Sequence, residues 1–156
     1  MIKKLLKIFS VLILLQGCGF KVQDQSSLKN FYIKKINTTG DNRINYNIKN
    51  KLFLKAGSKN KKPIVLNINT TKTKNIKEKN DKNIITKYII IINLKVVVVI
   101  NDMNKKELNL SGEKDFNVNN QYSQTIKNEK QAIKDITDNL IDKIIREISI
   151  IEVNDT

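Results

Sequence analysis

The chain has 156 residues, a formal charge of +14, one cysteine, and neither histidine nor tryptophan. Without histidine the commonest general base is missing, which excludes Ser-His and Cys-His nucleophile pairs; a single cysteine excludes an intramolecular disulfide. The usual nitrogen ligand for a metal is also missing, so any metal site has to be built from carboxylates.

The chain opens with Lys3, Lys4 and Lys7 and a short apolar run, Leu5-Leu6 and then Ile8 to Leu15, broken by Lys7 and Ser10. A transmembrane helix needs about 20 apolar residues, so this run is too short to span. A basic start and a short apolar stretch are the pattern of a secretory signal. The run ends in Leu15-Gln16-Gly17-Cys18. That tetrapeptide resembles the lipobox of bacterial lipoproteins: an aliphatic residue, a small residue before the cleaved bond, then a thiol to take the lipid. Residues 1–17 are therefore expected to be a cleaved signal, Cys18 the lipidation site, and 18–29 a polar tether. Gly19 in place of an aspartate resembles lipoproteins that are passed on to the outer membrane. Three acyl chains would hold such a protein stably, where one alone is marginal.

Residues 30–152 read as a single domain, since what remains once the leader is cut is long enough for one core. Phe31 to Ile36 is a short strand candidate. Thr38-Thr39-Gly40-Asp41 reads as a turn, with Asp41 able to cap a helix. Ile44, Ile48, Leu52 and Ala56 recur every four residues, one face of that helix, and Gly57 stands where a C-terminal glycine is expected. Pro63 opens a strand, and alternation at Ile64, Leu66, Ile68 and Thr70 carries it over residues 64–74. Residues 75–83 are crowded with charge and read as a loop.

The strongest element follows, Ile84 to Ile100. Tyr88, Ile90, Ile92, Leu94, Val96, Val98 and Ile100 make an unbroken apolar face, and the β-branched run favours a strand over a helix. Asn101 to Asn104 reads as a hairpin turn. Leu108, Leu110, Phe116 and Val118 alternate along the return strand, where Gly112 is read as a bulge. A long helix over about 124–149 buries Ile133, Ile136, Leu140, Ile144 and Ile148. The order is β-α-β-β-β-α, an α+β two-layer sandwich with two helices on one face of a four-stranded mixed sheet. The first βαβ unit should be a right-handed crossover joining parallel strands.

Several features together resemble the LptE family, the outer-membrane lipoproteins of lipopolysaccharide assembly. They are Cys18-Gly19-Phe20, the short first strand, the helix opening at Asn42-Arg43 and the long strand beginning with Tyr88. Asn128-Glu129 then lead into a helix patterned on Ala132, Ile136, Leu140, Ile141 and Ile144. The basic, Asn-rich composition departs from the family. The resemblance implies a non-enzymatic protein without a cofactor that sits inside the outer-membrane β-barrel LptD, helps it assemble, plugs it, and binds lipopolysaccharide on its way to the outer leaflet. The alternatives are another outer-membrane adaptor, such as a small lipoprotein of the barrel-assembly machinery, and a lipid-anchored enzyme.

Removing the three leader lysines leaves the mature chain at +11. That points to an anionic partner, although a chain rich in Lys, Asn and Ile also reflects A/T-rich codons. An exported chain has little to do with nucleic acid. In the expected topology Arg43, Lys77, Lys79, Lys82 and Lys127 fall at one end, with two helix N-termini, and form a candidate phosphate site for lipopolysaccharide; the competing reading is solvated surface charge. Ile89, Ile91, Val97 and Val99 on the second face of the long strand are the candidate contact with the barrel, unless a helix or loop covers them. Asp135, Asp138 and Asp142 line one side of the last helix and read as a solvated face rather than a cation site. No histidine is present to activate the many Ser and Thr residues.

Overall fold

A computed structural model describes Leu28 and residues 31–100 and 104–151. The expected signal, Cys18, most of the expected tether and residues 101–103 of the expected hairpin turn lie outside the described residues. Six elements follow one another: β1 (Phe31–Gly40), α1 (Asn42–Leu54), β2 (Lys62–Lys79), β3 (Ile85–Ile100), β4 (Asn104–Asn117) and α2 (Tyr122–Ile151). The strands form one sheet in chain order, β1-β2-β3-β4. β1 and β2 are parallel, and the other pairs are antiparallel. This is the expected β-α-β-β-β-α architecture with its mixed four-stranded sheet.

The alternation read from the sequence decides which face is covered. Ile64, Leu66 and Ile68 of β2 pair with Ile100, Val98 and Val96 of β3, and all six are buried. On α1, Ile44, Ile48 and Leu52 close over this face; on α2, Ile136, Leu140, Ile141, Ile144, Ile145 and Ile148 do so. A fully buried side chain of this size is worth roughly 1.5–3 kcal/mol, so this single face accounts for the domain's cohesion. Both helices run in the same direction. Lys51 of α1 pairs with Asp138 of α2, and Lys55, four residues on, pairs with Asp142.

Four local expectations are corrected. The strand predicted over 64–74 runs on to Lys79, and the charged loop predicted over 75–83 shrinks to residues 80–84. Asn75, Ile76 and Glu78 pair with Ile89, Tyr88 and Lys87, because a two-stranded ribbon satisfies the backbone while both faces stay wet enough for charge. The turn itself is held by Asn80, whose side-chain oxygen accepts from the N–H groups of Lys82 and Ile84 at 3.0 Å each, while Asn83 takes a left-handed φ of 60°. Thr38 and Thr39 lie in β1 rather than in a turn. Gly40 ends that strand at a φ of +96°, and a Cβ there would collide with the Thr70 carbonyl oxygen.

Gly112 is not a bulge. It pairs with Ile92 in unbroken register; its bare face admits the Ile136 side chain, which would lie 2.8 Å from an added Cβ. Gly57 also serves close approach, since a Cβ there would collide with the Phe31 carbonyl oxygen. The expected cap at Asp41 is present: its carboxylate accepts from the backbone of Arg43 and Ile44 at 3.1 and 3.0 Å.

Candidate functional site

Two candidate surfaces lie along β3 once the core is closed. The first is the second face of the sheet, which no helix among the described residues covers. Ile89, Ile91, Val97 and Val99 lie on it, half-buried by their neighbours alone. On one side they pair with Asn75, Thr73, Asn67 and Val65 of β2; on the other with Asp115, Glu113, Glu107 and Lys105 of β4. The surface is thus an apolar ridge between two largely polar strands. Asn93 and Lys95 interrupt the ridge midway, where a shallow depression of about 400 Å³ is lined by Asn69, Thr71, Asn109 and Ser111 as well.

Hydrogen bonds fix the polar side chains of this face. Asn37 Nδ2 donates to Asn67 Oδ1 at 2.7 Å, Asn69 Nδ2 to Thr39 Oγ1 at 3.0 Å, and Ser111 Oγ to Asn93 Oδ1 at 2.7 Å. Lys95 pairs with Glu107 at 2.9 Å, which holds the Glu107 carboxyl below its usual range. A face whose polar side chains are fixed by such cross-strand pairs offers a partner a pre-ordered surface, with little side-chain entropy left to lose.

The second surface is the far end of the β2–β3 hairpin. Lys77, Lys79 and Lys82 are gathered there, and α2 starts beside it, since the Val118 N–H donates to the Thr86 carbonyl at 2.9 Å. Lys127, in the second turn of α2, is therefore at the same end. Arg43 is not, contrary to expectation. The Asp41 N–H donates to the Thr70 carbonyl, so α1 begins level with Thr70, whereas Lys79 stands nine residues further along β2. Nine residues of strand span roughly 30 Å. The N-terminus of α1 is also already filled by the Asp41 carboxylate, which pairs with Lys72 at 3.0 Å. Partial burial pushes the Asp41 carboxyl up, but the Ile44 N–H, the Lys72 ammonium and the Arg43 N–H outweigh this and leave it below the usual range.

Among the hairpin lysines, Lys77 pairs with Asp115 at 2.9 Å; that contact raises the ammonium and lowers the carboxyl. Lys79 donates to Asn83 Oδ1 at 2.9 Å, a neutral partner. Lys79, Lys82 and Lys127 have no carboxylate partner among the described residues. Exposed Ile76 and Ile84 stand on the same hairpin and exposed Tyr122 opens α2, so this end is apolar as well as basic. Deeper along the ribbon, Lys74 sits 4.4 Å above the Tyr88 ring and pairs with Glu129 at 2.6 Å.

The acidic row of α2 has a structural occupation. Asp135 pairs with Lys114 of β4 at 2.6 Å, Asp138 with Lys51 of α1 and Lys134, and Asp142 with Lys55 of α1 at 2.7 Å. Lys114 holds the Asp135 carboxyl below its usual range. These carboxylates join α2 to its neighbours.

With this geometry in view, comparison with solved structures places the fold among bacterial lipoproteins. The rare lipoprotein B from Shewanella oneidensis superposes with a TM-score of 0.59 at 11% identity, over 77% of this chain and 97% of that one. The uncharacterized lipoprotein B from Nitrosomonas europaea gives 0.60 at 15% identity, over 87% and 94%. A minor lipoprotein from Acinetobacter baumannii gives 0.56 at 15% identity, over 80% and 92%. No family model and no curated protein sequence matches the chain. Rare lipoprotein B is the LptE family, so the fold is the one that the residue pattern resembles.

Proposed function

We propose that the chain is a non-enzymatic outer-membrane lipoprotein, lipidated at Cys18, that helps assemble and plugs a lipopolysaccharide-translocating β-barrel of the LptD kind and binds lipopolysaccharide as it passes. The observation that carries this reading is the uncovered apolar ridge of β3 in a fold shared with the rare lipoprotein B structures. A domain that functions alone gains nothing by leaving Ile89, Ile91, Val97 and Val99 without a covering layer; a plug needs such a face against its host. The hairpin end supports the second part. Lys79, Lys82 and Lys127 offer charge to lipid phosphates, and Ile76, Ile84 and Tyr122 offer apolar contact to acyl chains.

The test is affinity purification of the mature protein from its own membranes. A large β-barrel translocon should come with it. Replacing Ile91 and Val97 together by lysine should remove that barrel, because a plug contact would bury two unpaired charges. Recovery of barrel-assembly factors in place of the translocon would select the other adaptor reading instead.

A further inference from the structure

The end of the molecule opposite the hairpin carries a second cluster of charge. The registers Phe31 with Lys62, Ile64 with Ile100 and Ile100 with Asn104 bring the starts of β1, β2 and β4 together there. Five lysines crowd it: Lys59 and Lys61 between α1 and β2, Lys62 at the start of β2, and Lys105 and Lys106 at the start of β4. Lys61 donates to the Leu28 carbonyl at 3.2 Å, and Lys62 lies 5.9 Å from the Phe31 ring. None of the five pairs with a carboxylate among the described residues. At the hairpin end Lys74, Lys77 and Lys87 are each paired with one, while Lys79, Lys82 and Lys127 are not.

Apolar side chains stand among these lysines. Leu54 is 85% exposed and Phe53 41% at the end of α1. Ile150 is 45% exposed; it lies eight residues past Asp142, about 12 Å further along α2, and Asp142 is already level with Lys55. The N-terminal segment leaves from this same end, because buried Leu28 packs beside Gly57. Ten residues separate Cys18 from Leu28, and fully extended they reach at most about 35 Å.

We propose that this end is a lipid-facing surface. Its lysines engage the headgroups of anionic phospholipids, and Phe53, Leu54 and Ile150 enter the interface. The inference rests on the lipoprotein reading, which puts a membrane within reach of the tether. Charge without carboxylate partners among the described residues, exposed apolar tips and the exit of the anchored chain coincide at one end, which is the combination by which a basic patch supplements an acyl anchor. The cluster suits a surface of diffuse negative charge rather than one phosphate, since its lysines are spread over two separate connections.

The experiment uses the mature chain from residue 18, made without lipid as Cys18→Ala. Its probes are vesicles of phosphatidylcholine alone and vesicles of phosphatidylcholine mixed with phosphatidylglycerol. Binding to the anionic vesicles is expected, falling as salt rises and weak on phosphatidylcholine alone. Each lysine near such a surface is worth about fivefold, so Lys59→Gln, Lys105→Gln and Lys106→Gln together should weaken binding about a hundredfold with an unchanged melting temperature. The matched loss of charge on the flank of α2, Lys130→Gln, Lys134→Gln and Lys143→Gln, should change it less than threefold. Equal losses from both triple variants would overturn the proposal by making net charge the cause. Vesicle binding that survives the first triple variant, with the barrel no longer co-purifying, would overturn it in favour of a protein partner. The anchor reading fails separately: palmitate labelling of the full chain that misses Cys18 sinks it and leaves the vesicle result standing.

Discussion

The two faces of β3 differ less in composition than in what covers them. One presents Ile90, Ile92, Leu94, Val96, Val98 and Ile100, all buried beneath α1 and α2. The other presents Ile89, Ile91, Val97 and Val99, also β-branched, also apolar, and half-buried with no layer above them among the described residues. A strand buried on both faces reads as a continuous hydrophobic run, and β3 has that sequence while the chain supplies helices for one side. The lesson is that a strand can carry the composition of a core on a face that its own fold leaves open. On the proposed reading, a partner supplies the missing layer.

The sharpest break of this comparison is Ile92→Lys. It puts an unpaired charge into the covered face, and the isolated domain should lose cooperative melting altogether. Ile91→Lys with Val97→Lys is the mirror experiment. The melting temperature should move by only a few degrees, since each charge meets water, while the barrel is lost from co-purification. If the double variant melts as badly as Ile92→Lys, both faces are core and the contact lies elsewhere.

Further along the strand the contrast is between packed and solvated charge. Reversing Lys79, Lys82 and Lys127 to glutamate should weaken lipopolysaccharide binding, and wild-type binding should weaken with salt, screening being effective beyond about 10 Å at 0.1 M. Stability should hardly change, as exposed charges contribute about 0–1 kcal/mol. Unchanged binding would reduce this cluster to surface charge.

The smallest effect is on pH. The Asp41, Asp115, Asp135, Asp138 and Glu107 carboxyls are all held below their usual values in the folded chain. A carboxyl with a depressed folded value stabilises fully above its unfolded value, near 4, and loses that contribution as pH falls through the folded one. The melting temperature should therefore be flat from pH 7 to 5 and decline below about 4, more gently in high salt.

Much of this was legible in the residues. The even positions of β3, the four-residue spacing of Ile44, Ile48 and Leu52, and the cap at Asp41 give the sandwich and its covered face directly. The uncovered face was legible too, because Ile89, Ile91, Val97 and Val99 exceed what two helices can bury. The hairpin was hidden, because charge at 75–79 looks like a loop until a partner strand is known to satisfy its backbone. Arg43 was misplaced for the same reason: β2 and β3 outrun β1, and their excess length separates two loops that a schematic topology puts side by side. Gly112 needed Ile136, on a different element, before its role could be seen. The pairing of lysines was not visible at all. Lys77 and Lys59 are alike in sequence, and only the fold sets an aspartate beside the first.

The register of the sheet also orders events in time. β2, β3 and β4 form a meander whose turns are short, so each pairing closes a small loop and costs little entropy. β1 instead pairs across the whole of α1, Phe31 against Lys62. Contacts of that span form slowly. On the lipoprotein reading the chain is exported N-terminus first. The segment nearest the anchor then has to wait for the meander before it finds its place, and α2, which joins Asp138 to Lys51, locks the assembly from the opposite terminus. On that reading, the part of the protein held by its lipid is expected to be among the last to fold into place.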